Sequence, residues 1–350
     1  MMIQTSMMGW DIGGAHVKAA VINTYGEVIA VYQQPCHLWK GLDQLQAAVT
    51  HILSEAPDWS YQHAITMTGE LVDLFKDREE GVKQIITTMT TILPQKSCVV
   101  FAGFAGFLEP EQINANHYQQ IASSNWLAST SFVAQKVGTG LFVDIGSTTT
   151  DIILLKDAKV QVQGYTDYQR LISKELVYTG VVRTAVMAVS QTACDQGQEI
   201  GLMAEYFATM ADVYRVTGEL NELHDQTETA DGAEKTIIAS ARRLSRMIGS
   251  DFAPEELPRW QQFAENIRFQ QLQKVQSACE YRIKNEAILK TNPIIGAGVG
   301  RFLVKQLAQV LGYSYLDFTE LFPASANQTG LSISDCAPAV AVGCLAADLY

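Results

Sequence analysis

The chain has 350 residues, 47% of them hydrophobic, a mean hydropathy of +0.04 and a formal net charge of −12. That is enough apolar material for two lobes with cores of their own, and the acidic balance argues against nucleic acid or an anionic membrane surface as a partner. No stretch of about 18 uncharged apolar residues occurs, and Met1-Met2-Ile3-Gln4 lacks the charged start and cleavage site of a secretory signal, so a cytoplasmic protein is expected.

The first predicted strand, near 7–12, ends in Asp11-Ile12 and runs into Gly13-Gly14-Ala15 before a β-branched run from Val17 to Asn23. A strand, a glycine turn and an antiparallel strand form a hairpin whose loop offers backbone N–H groups and one carboxylate. Strands near 16–23 and 26–33 follow, then a helix near 41–56 and a strand at His63–Met67. Helical stretches at 70–76 and 79–92 and a strand at Ser97–Phe101 complete a β-β-β-α-β-α order. Glu70 and Asp73 stand just after the fourth strand, where they read equally as a solvated helix start or as a general base and its neighbour.

A second lobe opens at Gly138-Thr139-Gly140, and the hairpin pattern returns in Leu141-Phe142-Val143-Asp144-Ile145-Gly146-Ser147-Thr148-Thr149, followed by Thr150 to Leu155. One such hairpin is an ordinary turn between buried strands. Two, half a chain apart, suggest related lobes facing each other across a nucleotide or diphosphate cleft. The residue types suit phosphate binding, because glycine admits an anionic oxygen close to the backbone, Ser and Thr hydroxyls add donors, and Asp holds a metal whose other positions are water.

Tyr178, Thr179 and Arg183 lie in a predicted loop, and from Glu199 to Glu286 helix formers dominate with almost no strand signal, reading as a helical insertion. Tyr206, Met210 and Tyr214 recur at helical spacing beside Asp212, which reads as a buried stripe more readily than as a ligand box. Asn292 to Arg301 then gives a strand, a turn with Gly296, Gly298 and Gly300, and a helix. Alone it resembles a dinucleotide fingerprint with Asp317 as the ribose acid, but Arg301 fills the place of its last small residue. Asp335 and Pro338 predict a final helix with Asp335 as N-cap. The six cysteines and six histidines show no ligand spacing, so free thiols and no zinc site are expected.

Taken in order, Asp11–Ala15, Asp144–Thr148 and Ile295–Gly300 resemble the two phosphate motifs and the adenosine motif of the actin-like ATPase superfamily, which includes sugar and acetate kinases, heat-shock chaperones and actin. The resemblance implies a two-lobed, ribonuclease H-like α/β fold with a helical insertion in the second lobe. The lobes would span 1–137 and 138–334, and a helix at 335–350 would return to the first. With Thr66–Asp73, Val177–Thr184 and Glu205–Arg215, the chain looks like the hydantoinase/oxoprolinase-related branch associated with tetrahydromethanopterin-linked one-carbon metabolism. Archaeal relatives there act in methanofuran biosynthesis, joining an aminomethyl-furanmethyl diphosphate to the phenol of γ-glutamyl-tyramine with release of diphosphate.

On that resemblance, Mg²⁺ is held by Asp11 and Asp144, and phosphate is held by Gly13, Gly14, Ala15, Gly146, Ser147, Thr148, Thr149, Gly296, Gly298 and Gly300. Lys18 helps neutralise the leaving group, Glu70 is the first candidate base and Asp73 the second, and Tyr178, Thr179, Arg183, Tyr206 and Asp212 contact substrate. One departure is His16, which stands where the branch has Asn. An ATP-dependent kinase or amidohydrolase is the rival enzyme, and a non-catalytic regulator or filament protein the rival outside catalysis. ATP as a ligand and a homodimer stay open.

Overall fold

The computed structural model describes residues 6–93, 98–286, 288–323 and 330–349, so Met1–Gln4 and Ser97 of the sequence reading lie outside the described residues. The strands are β1 Ser6–Ile12, β2 His16–Ile22, β3 Val28–Pro35, β4 Tyr61–Met67, β5 Cys98–Phe101, β6 Phe107–Leu108, β7 Gly140–Ile145, β8 Thr150–Lys156, β9 Lys159–Gln161, β10 Leu176–Val177, β11 Thr192–Asp195, β12 Gln198–Gly201, β13 Ile294–Ala297 and β14 Tyr315–Asp317. The helices are α1 Leu42–Glu55, α2 Arg78–Ile92, α3 Ala115–Ile121, α4 Asn125–Val137, α5 Asp167–Ser173, α6 Val186–Val189, α7 Met210–Thr217, α8 Ile237–Arg246, α9 Leu257–Glu286, α10 Arg301–Leu311 and α11 Ala337–Ala347.

Two compact units result. The first comprises Met1–Gly140, Leu155–Gln161 and Leu316–Tyr350, and the second Leu141–Leu154 and Val162–Tyr315. In the first, the sheet order is β3-β2-β1-β4-β5-β6, with β1 antiparallel to β2 and parallel to β4. The second sheet runs β10-β8-β7-β13-β14, with β9 beside β8, β10 antiparallel to β8 and β13 parallel to β7. With β9 and the edge strand β6 set aside, each sheet takes its strands in the same spatial order: third, second, first, fourth, fifth. Duplicated topology, and not only duplicated motifs, carries the actin-like reading.

All seven residues of β1 are buried because the strand has a neighbour on each side and a helix on its face. That helix is α11, apolar around most of its circumference as a buried helix must be. It lies so close that a Cβ on Gly9 would fall 2.0 Å from the Ala339 carbonyl oxygen. In the second unit, α7, α8, α9 and α10 pack with the sheet around Met210, Tyr214, Leu244, Trp260, Phe263 and Ile267.

Local chemistry moves several boundaries. The expected helix at 70–76 is a single 3₁₀ turn, Gly69–Leu71, and α2 begins at Arg78, next to the expected 79, because Asp77 caps it, accepting from the Glu80 amide at 2.9 Å. The insertion opens with a hairpin, β11 with β12, which the helical reading of 199–286 did not contain. Asp335 is not the cap of the last helix. It closes the preceding 3₁₀ turn by accepting from the Ser332 amide at 2.7 Å, and Cys336 stands at the N-cap of α11.

Candidate active site

In the first unit, the turn after β1 is closed by the Gly13 amide donating to the His16 carbonyl at 2.9 Å. Three carbonyls around it are taken by the rest of the unit: Ile12 by the Thr68 amide, Gly14 by Leu38 and Ala15 by Cys36, at 2.8 to 3.1 Å. Among the described residues, the amides of Gly14 and Ala15 have no hydrogen-bond acceptor in the protein. A turn whose acceptors are mostly used and whose donors are left over can accept an anion.

The second turn repeats this arrangement in the other unit. Gly146 donates to the Thr149 carbonyl at 2.9 Å, the Gly146 carbonyl accepts from Val181, and the Ser147 carbonyl accepts from Val182 and Arg183. The Thr148 carbonyl accepts from the Thr184 hydroxyl at 3.4 Å. Among the described residues, the amides of Ser147, Thr148 and Thr149 find no acceptor in the protein. The segment supplying these donors can lie so close because Gly180 has no side chain, and a Cβ there would be 2.4 Å from the Thr148 nitrogen.

Each turn carries its aspartate. Asp11, buried in β1, accepts from Asn125 Nδ2 at 3.3 Å and stands opposite Lys18 across the strand pair. The Lys18 ammonium reaches the Asp335 backbone carbonyl at 2.6 Å, which ties β2 to the approach of α11. Burial pushes the Cys336 thiol up to about 12, with Lys18 opposing and the charges of Asp335 and Asp11 adding. Asp144, next to last in β7, pairs with Ala297 of β13. The next turn bends back over it, with Gly298 at φ +80° and the Gly300 amide donating to the Ile145 carbonyl at 2.8 Å. A Cβ on Gly298 would sit 2.2 Å from Asp144 Oδ1, so only glycine lets this turn pack against the carboxylate.

Carboxylates at these turns are ligands of the type magnesium takes. The ion needs only one or two carboxylates when water and phosphate oxygens complete its shell, and among the described residues no three His, Cys, Asp or Glu side chains cluster.

The other glycines of the third motif serve the protein itself. A Cβ on Gly296 would meet the Tyr315 ring at 2.6 Å, and one on Gly300 would meet Ile145 and Val181 at 2.5 and 2.8 Å. Asp317, the ribose acid of the dinucleotide alternative, caps the 3₁₀ turn Phe318–Leu321 and accepts from the Ser334 hydroxyl at 2.5 Å.

Around the second turn, Arg183 Nη1 donates to Thr148 Oγ1 at 3.5 Å. Tyr206 lies within electrostatic reach of Arg183: burial raises the phenol, the guanidinium opposes that, and Asp212 and Asp225 add to it. Tyr206 is half exposed and does not belong to the helix expected for it. The helix starts at Met210 because Thr209 and Asp212 form a capping box, a Thr-x-x-Asp signature that is readable in the sequence. Asp212 is thereby engaged on both oxygens: one accepts from the Thr209 amide at 3.0 Å, the other from Ser240 and Arg243 at 2.8 Å. Thr179 is also interior, whereas Tyr178 is exposed.

Glu70 is buried, with Ser123 Oγ donating to Oε1 at 2.7 Å, while Asp73 is exposed. A solvated helix start therefore does not describe Glu70. Asn125 and Ser123, the partners of Asp11 and Glu70, were not among the expected site residues. Their partners lie 114 and 53 positions away, and no local pattern marks them.

A model of the hydantoinase/oxoprolinase family matches residues 62–339. The chain belongs to the hydantoinase/oxoprolinase family. Within it, the chain is 34% identical over 248 residues to a protein of Methanocaldococcus jannaschii, covering 70% of this chain and 72% of that one. That protein is named as the synthase of a glutamylaminoethyl-phenoxymethyl-furan methanamine. A Methanococcus vannielii protein of the same name is 34% identical over 121 residues, which is 34% of this chain and 54% of that one. Among solved structures, nucleotide-free acetone carboxylase superposes with a TM-score of 0.56 at 10% identity, covering 98% of this chain and 70% of that one. At that identity the likeness concerns the fold alone. Among the described residues no helix is long and apolar enough to cross a membrane.

Proposed function

We propose that this hydantoinase/oxoprolinase-family protein is a transferase of methanofuran-type cofactor biosynthesis, serving one-carbon metabolism. It joins an aminomethyl-furanmethyl diphosphate to the phenol of γ-glutamyl-tyramine. The observation that carries the reading is the 34% identity, over 70% of the chain, to a synthase whose product contains that phenoxymethyl-furan ether. The two turns with unused amides support it, because a diphosphate is the anion such turns accept.

In the reaction, the phenol oxygen forms a bond to the furan methylene carbon as the bond from that carbon to the diphosphate oxygen breaks with its electron pair. The phenolic proton passes to a base, and diphosphate leaves. The amides of Ser147, Thr148 and Thr149 in one unit, and of Gly14 and Ala15 in the other, are the candidate phosphate donors, and donors that meet growing negative charge lower the barrier. Arg183 holds Thr148 from one side and adds positive charge to the second turn. Asp144 and Asp11 are the candidate magnesium ligands, one in each unit, and magnesium there would supply neutralising charge for the leaving group. Glu70, oriented by Ser123, is the candidate base. Exposed Tyr178 and half-exposed Tyr206 are the candidates for contact with the aromatic substrate.

The deciding experiment incubates the purified protein with Mg²⁺ and the two synthetic precursors, and in parallel with Mg²⁺-ATP. Aryl ether with equimolar diphosphate, independent of ATP, is expected. Steady ATP hydrolysis with a phosphorylated product and no ether would replace this reading with that of a kinase.

A further inference from the structure

Gln271, on α9 of the helical insertion, is almost completely buried, and every polar atom of its side chain is used. Oε1 accepts from the Tyr214 hydroxyl at 2.5 Å. Nε2 donates to Thr179 Oγ1 at 2.7 Å and to the Gly180 carbonyl at 2.9 Å. Burial pushes the Tyr214 phenol up, so it keeps its proton and can donate to Oε1. The Gly180 carbonyl can only accept, so the amide nitrogen must face the loop.

That loop is the segment docked on the second turn. Thr150 Oγ1 donates to the Thr179 carbonyl at 2.7 Å, and the Gly180 amide donates to Thr184 Oγ1 at 2.8 Å. The next three amides donate to the Gly146 and Ser147 carbonyls, and the same segment carries Arg183 to Thr148.

We propose that Gln271 is a positioning residue through which the helical insertion sets the conformation of the second phosphate turn. The proposal rests on the reading that this turn receives the diphosphate of one substrate. Tyr214 holds the Gln271 amide, the amide seats Thr179 and Gly180, and the seated loop consumes the turn's carbonyls so that its N–H groups stay directed at the anion. Loss of the amide frees a loop that otherwise needs no ligand to hold its shape.

The test compares Gln271→Glu, Gln271→Met and Tyr214→Phe with the parent protein and with Gln270→Ala. Gln270 is one position along the same helix, where its amide serves the Thr192 carbonyl instead. Gln271→Glu keeps the shape but opposes a carboxylate oxygen to the Gly180 carbonyl. Both Gln271 variants are expected to raise KM for the diphosphate substrate about 10–100-fold and to leave KM for the phenolic substrate unchanged. Tyr214→Phe should act in the same direction by about 2–10-fold.

A purely structural role would instead lower the folded fraction, and so kcat, with both Michaelis constants kept. That outcome overturns the proposal. Hydrogen exchange without ligand gives a second readout, in which the amides of Val181, Val182 and Arg183 should exchange faster in the Gln271 variants and not in Gln270→Ala. Unchanged exchange there would also overturn it. If the parent protein makes no ether while the Gln271 variants still loosen these amides, the synthase reading falls and the coupling between α9 and the turn stands.

Discussion

Gly298→Ala separates the chemical use of the third glycine motif from its packing use. The residue sits at φ +80°, where a side chain costs about 1–2 kcal/mol relative to glycine. The added methyl would lie 2.2 Å from Asp144 Oδ1 and 2.4 Å from the Ile145 carbonyl oxygen, so the carboxylate must rotate away or the turn must lift. Crowding of that order costs a further ~1–3 kcal/mol. Together the loss is about 2–5 kcal/mol, which at roughly 2–4 °C per kcal/mol for a unit of this size lowers Tm by about 4–20 °C. The functional consequence is specific, since the oxygen displaced belongs to the candidate magnesium ligand. Gly300→Ala is the matched control, because its methyl meets only Ile145 and Val181. Thermal melting and calorimetric titration with diphosphate at several Mg²⁺ concentrations read both effects. Gly298→Ala should lose the magnesium dependence of diphosphate binding, and Gly300→Ala should keep it while losing stability. If both variants bind Mg²⁺-diphosphate as the parent does once their melting is allowed for, Asp144 is not a metal ligand.

Asp11→Asn and Asp144→Asn should each lower the rate by about 10²–10³-fold with the fold intact, as expected for loss of charge at the leaving group. Chelation should reproduce both effects, and full activity in EDTA would remove magnesium from the mechanism. Glu70→Gln should reduce kcat more than it raises either KM, because a base acts in the chemical step. An effect confined to KM would make Glu70 a binding group. His63 gives a pH prediction independent of function: it is buried, accepts from Trp10 Nε1 at 3.2 Å, and burial lowers its pKa to about 4 from the ordinary 6.5. The unfolded chain therefore binds a proton that the folded chain refuses, so this stability is full above pH 6.5 and about 3 kcal/mol is lost as pH falls to 4. Denaturant titrations across that range should show the loss in the parent and not in His63→Gln, and equal slopes would contradict it.

What the sequence disclosed was whatever is local. Both hairpins were legible because strand, aspartate and glycine turn are contiguous, and β1 and β7 end where Asp11-Ile12 and Asp144-Ile145 indicated. Tyr206 was misplaced for an equally local reason: its spacing from Met210 and Tyr214 continues a helical stripe across Thr209, although the capping box at Thr209 and Asp212 shows that the helix begins there. Asp212 looked available for substrate because its partner Arg243 is 31 residues away. The glycines of the third motif looked alike in sequence, yet only Gly298 is placed against Asp144, since Tyr315, Ile145 and Val181 fill the space at the other two. Gln271 carries no motif, and its partners on the turn segment are 91 and 92 residues away.

The duplicated turns use the same backbone logic but are supported by different side chains, and that difference is where the two lobes have diverged. Under the first turn, Asn125 holds Asp11, Lys18 is tied to the Asp335 carbonyl, and Ser123 holds Glu70, all within one unit. The second turn instead has its carbonyls taken by the 179–184 segment, and that segment is anchored by a buried amide from the insertion. A fold that binds phosphates through backbone amides alone cannot tell one diphosphate from another, because those amides meet only oxygens that every diphosphate shares. Selectivity must come from side chains delivered beside the turn, and the insertion delivers Tyr206 to the neighbourhood of Arg183 and anchors the loop that bears Arg183 and Tyr178. Substrate choice in this family is therefore expected to vary with the insertion while the turns stay fixed.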